Sequence, residues 1–158
     1  MPTRRELDKM QWEWQVCAYH EAGHAVALLA LDFELNEINI GVRAGFWSGV
    51  RSHGGTNGGV PESDDDTDGV DDYLVTCLSG PAAELRFGSP QADVLAHMEG
   101  DLRNAEGALP HASLTLGEAE DEAHELVDGN WDAIVAVAEA LMDNDGYLSG
   151  ADVEDIVG

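Results

Sequence analysis

The sequence predicts a mainly helical domain with a small β-sheet, an α+β fold, on the strength of three observations. Several long stretches carry apolar residues at helical spacing, and the longest of them begins near the N-terminus. One short stretch instead alternates apolar and polar residues, which is typical of a strand. The chain has 158 residues, 44% of them hydrophobic, which is enough for one domain with a core of its own. We therefore expect residues 1–158 to form a single domain.

The predicted elements follow in order along the chain. The first helix runs from about Glu6 to Asp32 and places Cys17, His20 and His24 near its apolar face. A strand is expected at Asn36–Arg43, where every second side chain is apolar. Later helical patterns cover about residues 73–85, 100–109, 116–128, 131–142 and 150–156.

Two connecting segments complete this scheme. Residues 46–52 suggest a second strand, joined to the first by a short turn at Gly45. Residues 53–69 combine five glycines, a proline and a cluster of aspartates, which predicts a flexible acidic loop. The aspartate spacing in this loop fits no EF-hand, and the same holds for the acidic stretch near Asp143. We interpret that second stretch as a turn that ends one helix before the next.

The amino-acid composition argues against some classes of binding partner. Thirty-two acidic residues against seven basic ones give a formal net charge of −25 at pH 7. Such a field repels phosphate backbones and anionic bilayers, so we expect neither nucleic acid nor a membrane surface as a partner. Cys17 and Cys77 form no C-x-x-C pair and are typical of reduced core residues. Together with the lack of a signal-peptide pattern, they lead us to expect a cytoplasmic protein.

The residues that indicate chemistry are His20, Glu21 and His24, which form an H-E-x-x-H motif within the first helix. Two histidines four residues apart lie one above the other on a helix, so both imidazoles can reach one metal ion. Glu21 lies on the adjacent flank, where it can take a proton from a water bound to the ion. The motif is expected by chance only about 0.02 times in such a chain. The alternative is a pair of core histidines held by buried hydrogen bonds.

A catalytic zinc has three protein ligands as a rule, so the downstream sequence must supply one more. The extended motif with a third histidine is absent, because Ala27 and Ala30 stand at its later glycine and histidine positions. Spacing does not choose among the remaining candidates, which are Glu84, His97, Glu99 and Asp101.

Several strings in the chain resemble the protease domain of the FtsH-type ATP-dependent zinc metalloproteases. They are YHEAGHAV, the INI of the predicted strand, LSGPAAELRFG and EGDLRNA, and the match runs from about Trp14 to Ala105. The resemblance implies a helical, zincin-like metallopeptidase fold that binds one Zn²⁺ per chain. It also implies that Asp101 is the third ligand and that Ser48, Gly49 and Val50 pair with an extended substrate peptide.

The chain departs from this family at identifiable positions. Pro81 stands where an arginine is usual, Gly100 replaces the asparagine before the ligand, and no phosphate-binding G-x-x-x-x-G-K-[ST] loop occurs. The resemblance therefore implies a zinc-dependent endopeptidase for flexible or unfolded polypeptides, with a separate ATPase as a partner and self-assembly as in the family. The alternative is a degenerate member that binds zinc as an interaction or regulatory module, against which the intact Glu21 argues.

Overall fold

The computed structural model describes residues 1–40, 55–58 and 67–158, with only the backbone considered at 55–58 and 67–68. Within these ranges the protein is mainly helical with a small antiparallel sheet, as the sequence predicts. The elements are α1 (Arg4–Ala30), β1 (Leu35–Asn39), β2 (Gly55–Gly58), α2 (Thr67–Phe87), α3 (Gln91–His97), α4 (Glu99–Ala108), a 3-10 turn (Leu109–His111), α5 (Leu116–Gly129), α6 (Trp131–Asp143), β3 (Tyr147–Ser149) and α7 (Gly150–Val157).

The long helix α1 begins at a capping box, in which Thr3 and Glu6 satisfy each other's backbone N–H groups. Its first three turns are largely exposed, and burial starts at Val16. From there α1 packs along α2, and the two helices come close together at Gly23. A Cβ atom at Gly23 would lie 2.6 Å from both the Ser79 carbonyl oxygen and the Ala83 Cβ. The close crossing therefore depends on glycine at this position.

The core lies among α1, α2, α5 and α6, with β1 and β3 closing one side. An aromatic stack fastens α1 to its neighbours: the ring centroid of Tyr19 lies 4.1 Å from that of Phe87 and 5.6 Å from that of Trp131. Tyr19 directly precedes His20, so this packing fixes the backbone that carries the motif. None of the helices in the described ranges combines the length and hydropathy needed to cross a bilayer.

The sheet has the order β2-β1-β3, and both pairings are antiparallel. Ile38 in the central strand is fully buried and lies opposite Thr56 on one side and Leu148 on the other. The strand β1 covers the first part of the predicted Asn36–Arg43 strand. It reaches Asn39, and residues 41–43 lie outside the described ranges.

Three elements differ from the sequence-based expectations. The strand β2 falls within the predicted loop at 53–69, because ladder pairing uses backbone groups that glycine also has. The strand β3 occupies part of the predicted turn after α6, although the turn itself is present just before it at Asn144–Gly146. The short helix α3 was not predicted. The predicted second strand at 46–52 lies outside the described residues, as does the loop apart from β2 and the start of α2.

Candidate metal centre

The candidate site is formed where three helices meet. His20 and His24 come from the buried middle of α1, and Asp101 comes from the first turn of α4. The long helix α2 runs beneath them and supplies the groups that hold the histidine rings. All three side chains are largely shielded from solvent, since 3% of His20, 13% of His24 and 15% of Asp101 is exposed.

Three side chains with metal-ligating atoms face one another at this junction. The Nε2 atom of His20 lies 2.9 Å from Asp101 Oδ2, and that of His24 lies 3.2 Å from Asp101 Oδ1. The two Nε2 atoms are 3.1 Å apart. Ligands about 2.1 Å from a tetrahedral ion lie about 3.4 Å from one another, so small shifts would accommodate one ion among them. His20, His24 and Asp101 could therefore hold a metal ion.

The other ring nitrogen of each histidine, Nδ1, already takes part in a hydrogen bond. Nδ1 of His20 donates a hydrogen bond to Glu84 Oε1 at 2.8 Å, and Nδ1 of His24 donates to the Thr76 carbonyl oxygen, also at 2.8 Å. A carbonyl oxygen can only accept, which fixes the tautomer of the neutral His24 ring. Both rings thus direct Nε2 toward the shared centre, the arrangement in which outer partners orient metal-ligating histidines.

A glycine on α2 makes the contact with His24 available. In a helix the side chain of residue i+4 covers the carbonyl of residue i, and residue i+4 from Thr76 is Gly80. A Cβ atom at Gly80 would lie 2.6 and 2.7 Å from Cε1 and Cδ2 of the His24 ring. Glycine therefore leaves room for the imidazole to lie against α2 and bond to Thr76.

Electrostatics tie the cluster together. Burial by itself lowers the pKa of His20, but the charge of Asp101 and the hydrogen bonds that His20 donates to Asp101 and Glu84 raise that pKa to about 10. Burial also lowers the pKa of His24, but the effect of Asp101 outweighs that of burial, so the pKa of His24 is raised. Burial would raise the pKa values of Asp101 and Glu84, yet the adjacent histidines hold both below their ordinary values. The carboxylates thus favour positive charge on the histidines, which is the sign of charge that a bound cation would supply.

Glu21 lies on α1 beside these ligands and is partly buried. Its negative charge contributes to the raised pKa values of both His20 and His24, which puts its carboxylate within electrostatic reach of the shared centre. This position agrees with the flank expected from the helical spacing of the motif.

The four candidates for a third ligand occupy clearly different positions relative to the two histidines. Asp101 faces the Nε2 atoms of both histidines. Glu84 is fully buried and contacts His20 at Nδ1, on the side away from the centre, while His97 contacts Glu84 and belongs to its outer surroundings. Glu99 is 79% exposed on the surface of α4. Ser48, Gly49 and Val50, expected to pair with a substrate, lie outside the described residues.

Sequence reasoning did not identify Thr76, Gly80 or the pairing of His97 with Glu84. The Thr76 contact uses a main-chain carbonyl and leaves no signal in the residue type. A signal for Gly80 was present, since a glycine within a strongly helical pattern calls for a reason such as close packing. His97 was considered only as a direct ligand.

The pKa shifts predict how the stability of the metal-free protein depends on pH. His20 has a raised pKa, so its contribution is fully present below its ordinary value of 6.5 and is lost as the pH rises through about 10. Asp101 and Glu84 have lowered pKa values, so their contributions are present above the ordinary values of 3.8 and 4.5 and decline in acid. The combined contribution of these groups to the stability of the metal-free protein is therefore greatest between about pH 4.5 and 6.5.

Thermal melts in a chelator at pH 5, 6, 7, 8 and 9 would measure this profile. A bound metal displaces the histidine protons, so the gap in melting temperature between metal-loaded and metal-free protein should widen from pH 6 to pH 8.5. A gap that stays constant over this range would show that metal binding releases no protons from the cluster.

Gly80→Ala should weaken metal binding by about 10–100-fold, the range seen when an outer partner of a ligand is lost. The added methyl group would push the His24 ring off the Thr76 carbonyl, while the overpacking would cost roughly 1–3 kcal/mol of folding stability. Competition with a chelator of known affinity measures the first effect. Gly107→Ala is the control, because Gly107 lies in α4 with nothing within 4 Å of its added Cβ. Equal metal affinity of Gly80→Ala and wild type would contradict the packing described for His24.

No protein-family profile matches the chain, and no curated protein matches it significantly.

Proposed function

We propose that this protein is a zinc-dependent endopeptidase, with zinc held by His20, His24 and Asp101 and with Glu21 as the general base. The observation that carries the proposal is the meeting of His20 Nε2, His24 Nε2 and the Asp101 carboxylate, with each Nδ1 held from outside. The family resemblance of the motif-bearing strings supports the same reading.

The donor set favours zinc and a catalytic role. Two imidazoles and one carboxylate form a mixed nitrogen and oxygen set of the kind that zinc hydrolases use. Structural zinc sites have four protein ligands and mostly include cysteine, whereas catalytic sites have three and keep a position for water. Cys77 is buried on α2 near the cluster, but the group of metal-ligand atoms identified in the described ranges contains no cysteine.

The chain's own residues divide the work of hydrolysis among them. When bound, zinc would lower the pKa of a water molecule and polarise the scissile carbonyl group. Glu21 would accept the proton of that water and pass it to the nitrogen of the departing amine. Asp101 would balance part of the metal charge, and Glu84 would keep the His20 ring in the tautomer whose Nε2 is free to be a ligand. A purely structural zinc site would need no general base, so the presence of Glu21 beside the ligands favours a catalytic role.

Flexible or unfolded polypeptides are the proposed substrates, as in the family that the motifs resemble. A separate ATPase would extend the activity to folded proteins, and assembly of several copies is proposed on the same resemblance. If the protein binds zinc without cleaving peptide bonds, it is instead a degenerate member that serves as an interaction or regulatory module.

Hydrolysis of casein by the zinc-loaded protein tests the proposal. New α-amino groups should form at a rate that falls to background with a chelator and returns when zinc is added back. A protein that holds about one zinc per chain and leaves casein intact would be the degenerate module. Absence of zinc binding altogether would remove the proposed function.

A further inference from the structure

Glu84 has both carboxylate oxygens engaged in the interior of the protein. Its side chain is fully buried, with 0% exposed, and Oε1 accepts from His20 Nδ1 at 2.8 Å. The other oxygen, Oε2, accepts from His97 Nδ1 at 2.7 Å and from the Ser89 hydroxyl at 3.2 Å. One carboxylate therefore joins the ligand His20 to a second histidine that takes no direct part in the metal centre.

A buried carboxylate needs such partners. Removing an ionised group from water costs several kcal/mol unless charge and hydrogen bonds replace the water. Among the described residues, the ion-pair partners of Glu84 are His20 and His97. If His97 were lost, Oε2 would keep only the longer bond from a neutral hydroxyl group, and the carboxylate could turn away from His20.

The location of His97 gives this contact a second effect. Ser89 stands two residues before α3, and His97 is the last residue of that seven-residue helix, so Glu84 holds α3 at both ends. The helix α4 starts at Glu99, directly after the turn, and carries Asp101. The bond from His97 to Glu84 thus links the support of the first ligand to the chain segment that presents the third.

We propose that His97 is a positioning residue for the metal centre, which acts through Glu84 on His20 and through the α3–α4 turn on Asp101. It donates one hydrogen bond that keeps the Glu84 carboxylate aimed at His20 Nδ1. The same bond holds the turn between α3 and α4 at a fixed position relative to α2. The ligand atoms are then preorganised before the ion arrives.

Two substitutions separate this role from simple packing. His97→Leu fills a similar volume without a donor, so zinc affinity should fall by about 10–100-fold, the range for loss of an outer partner. His97→Asn retains an N–H donor close to the position of Nδ1, so it should restore most of that loss. His124→Leu is the control, because His124 is 40% exposed on α5 and pairs only loosely with Glu120 at 3.9 Å.

Zinc dissociation constants from competition with a chelator, measured on the full chain, provide the first readout. The second is the His20 Nδ1 proton signal in the nuclear magnetic resonance spectrum of the metal-free protein. That signal should broaden or shift in His97→Leu and recover in His97→Asn. Wild-type affinity in His97→Leu would overturn the proposal, and so would an affinity in His97→Asn as low as that of His97→Leu.

The inference concerns the metal site of the proposed peptidase, yet it does not rest on peptide hydrolysis. If the wild type binds zinc but cleaves nothing, the proposed function fails while the affinities still test His97. If His97→Leu binds zinc as the wild type does and casein is cleaved, the positioning role fails and the proposed function stands. If the wild type binds no zinc, the proposed function fails and the His20 proton signal alone decides on His97.

Discussion

Glu21→Gln should reduce casein hydrolysis by about 10²–10⁴-fold, the range expected for loss of a general base. Glutamine has nearly the same shape but cannot accept a proton at neutral pH, so the attacking water would have no base beside it. The zinc content should stay at about one ion per chain, because Glu21 is not among the three side chains that meet at the centre. Initial rates of α-amino group release, together with metal analysis of the same samples, measure both quantities.

Asp8→Asn is the matched control for this experiment. It removes one negative charge from the same helix, at an exposed position more than three turns away from Glu21. Activity of Asp8→Asn should equal that of the wild type, which would separate loss of the base from a general change of charge. Full hydrolysis by Glu21→Gln would assign the base to another group and would remove the central role of this residue.

Loss of any one of the three proposed ligands should weaken zinc binding by more than the 10–100-fold that loss of an outer partner costs. His20→Ala, His24→Ala and Asp101→Ala each leave two protein ligands, too few for a stable catalytic zinc site. Metal analysis after dialysis should show strongly reduced zinc in all three. Asp101→Ala should also lower the pKa values of the histidines in the metal-free protein, because the charge of Asp101 raises them.

Glu99→Ala provides the control for the Asp101 substitution. It removes a carboxylate from the same turn of α4, but the Glu99 side chain is 79% exposed and pairs with Arg103 on the surface. Zinc should be retained in full. Full zinc content in both histidine variants would exclude the site, whereas a crystal structure of the zinc-loaded protein with Glu84 or His97 bound to the ion would reassign only the third ligand.

The part of the site that the sequence predicts is the part that lies within one helix. His20, Glu21 and His24 obey helical spacing, so their common location follows from the local pattern alone. Asp101 is 81 residues away from His20 along the chain. No local sequence pattern spans so large a separation. Only the resemblance to a known family singles out Asp101 among the four candidates. The structure gives the separate, physical reason, since α4 begins where its first turn faces the histidines.

The same distinction explains which elements of the fold were predicted. The helices α1 and α6 are long stretches without proline, so the evidence for them accumulates over many residues. The strand β2 contains two glycines and shows no alternation, and β3 spans only three residues, so both depend on pairing with β1. The helix α3 has seven residues and is tethered at its ends by Glu84, a tertiary contact that propensity does not record.

The close approach of α1 and α2 at Gly23 has a mechanical consequence. A Cβ atom at position 23 would lie within 2.6 Å of the Ser79 carbonyl oxygen and of the Ala83 Cβ, so any larger residue there would push the two helices apart. These two helices carry two of the proposed ligands on α1 and, on α2, Thr76 and Glu84, which orient them. Asp101 is attached to a separate ten-residue helix that follows a turn. A larger residue at position 23 would therefore separate both histidines from their partners on α2, while the position of Asp101 would still be set by the α3–α4 turn that His97 holds against Glu84.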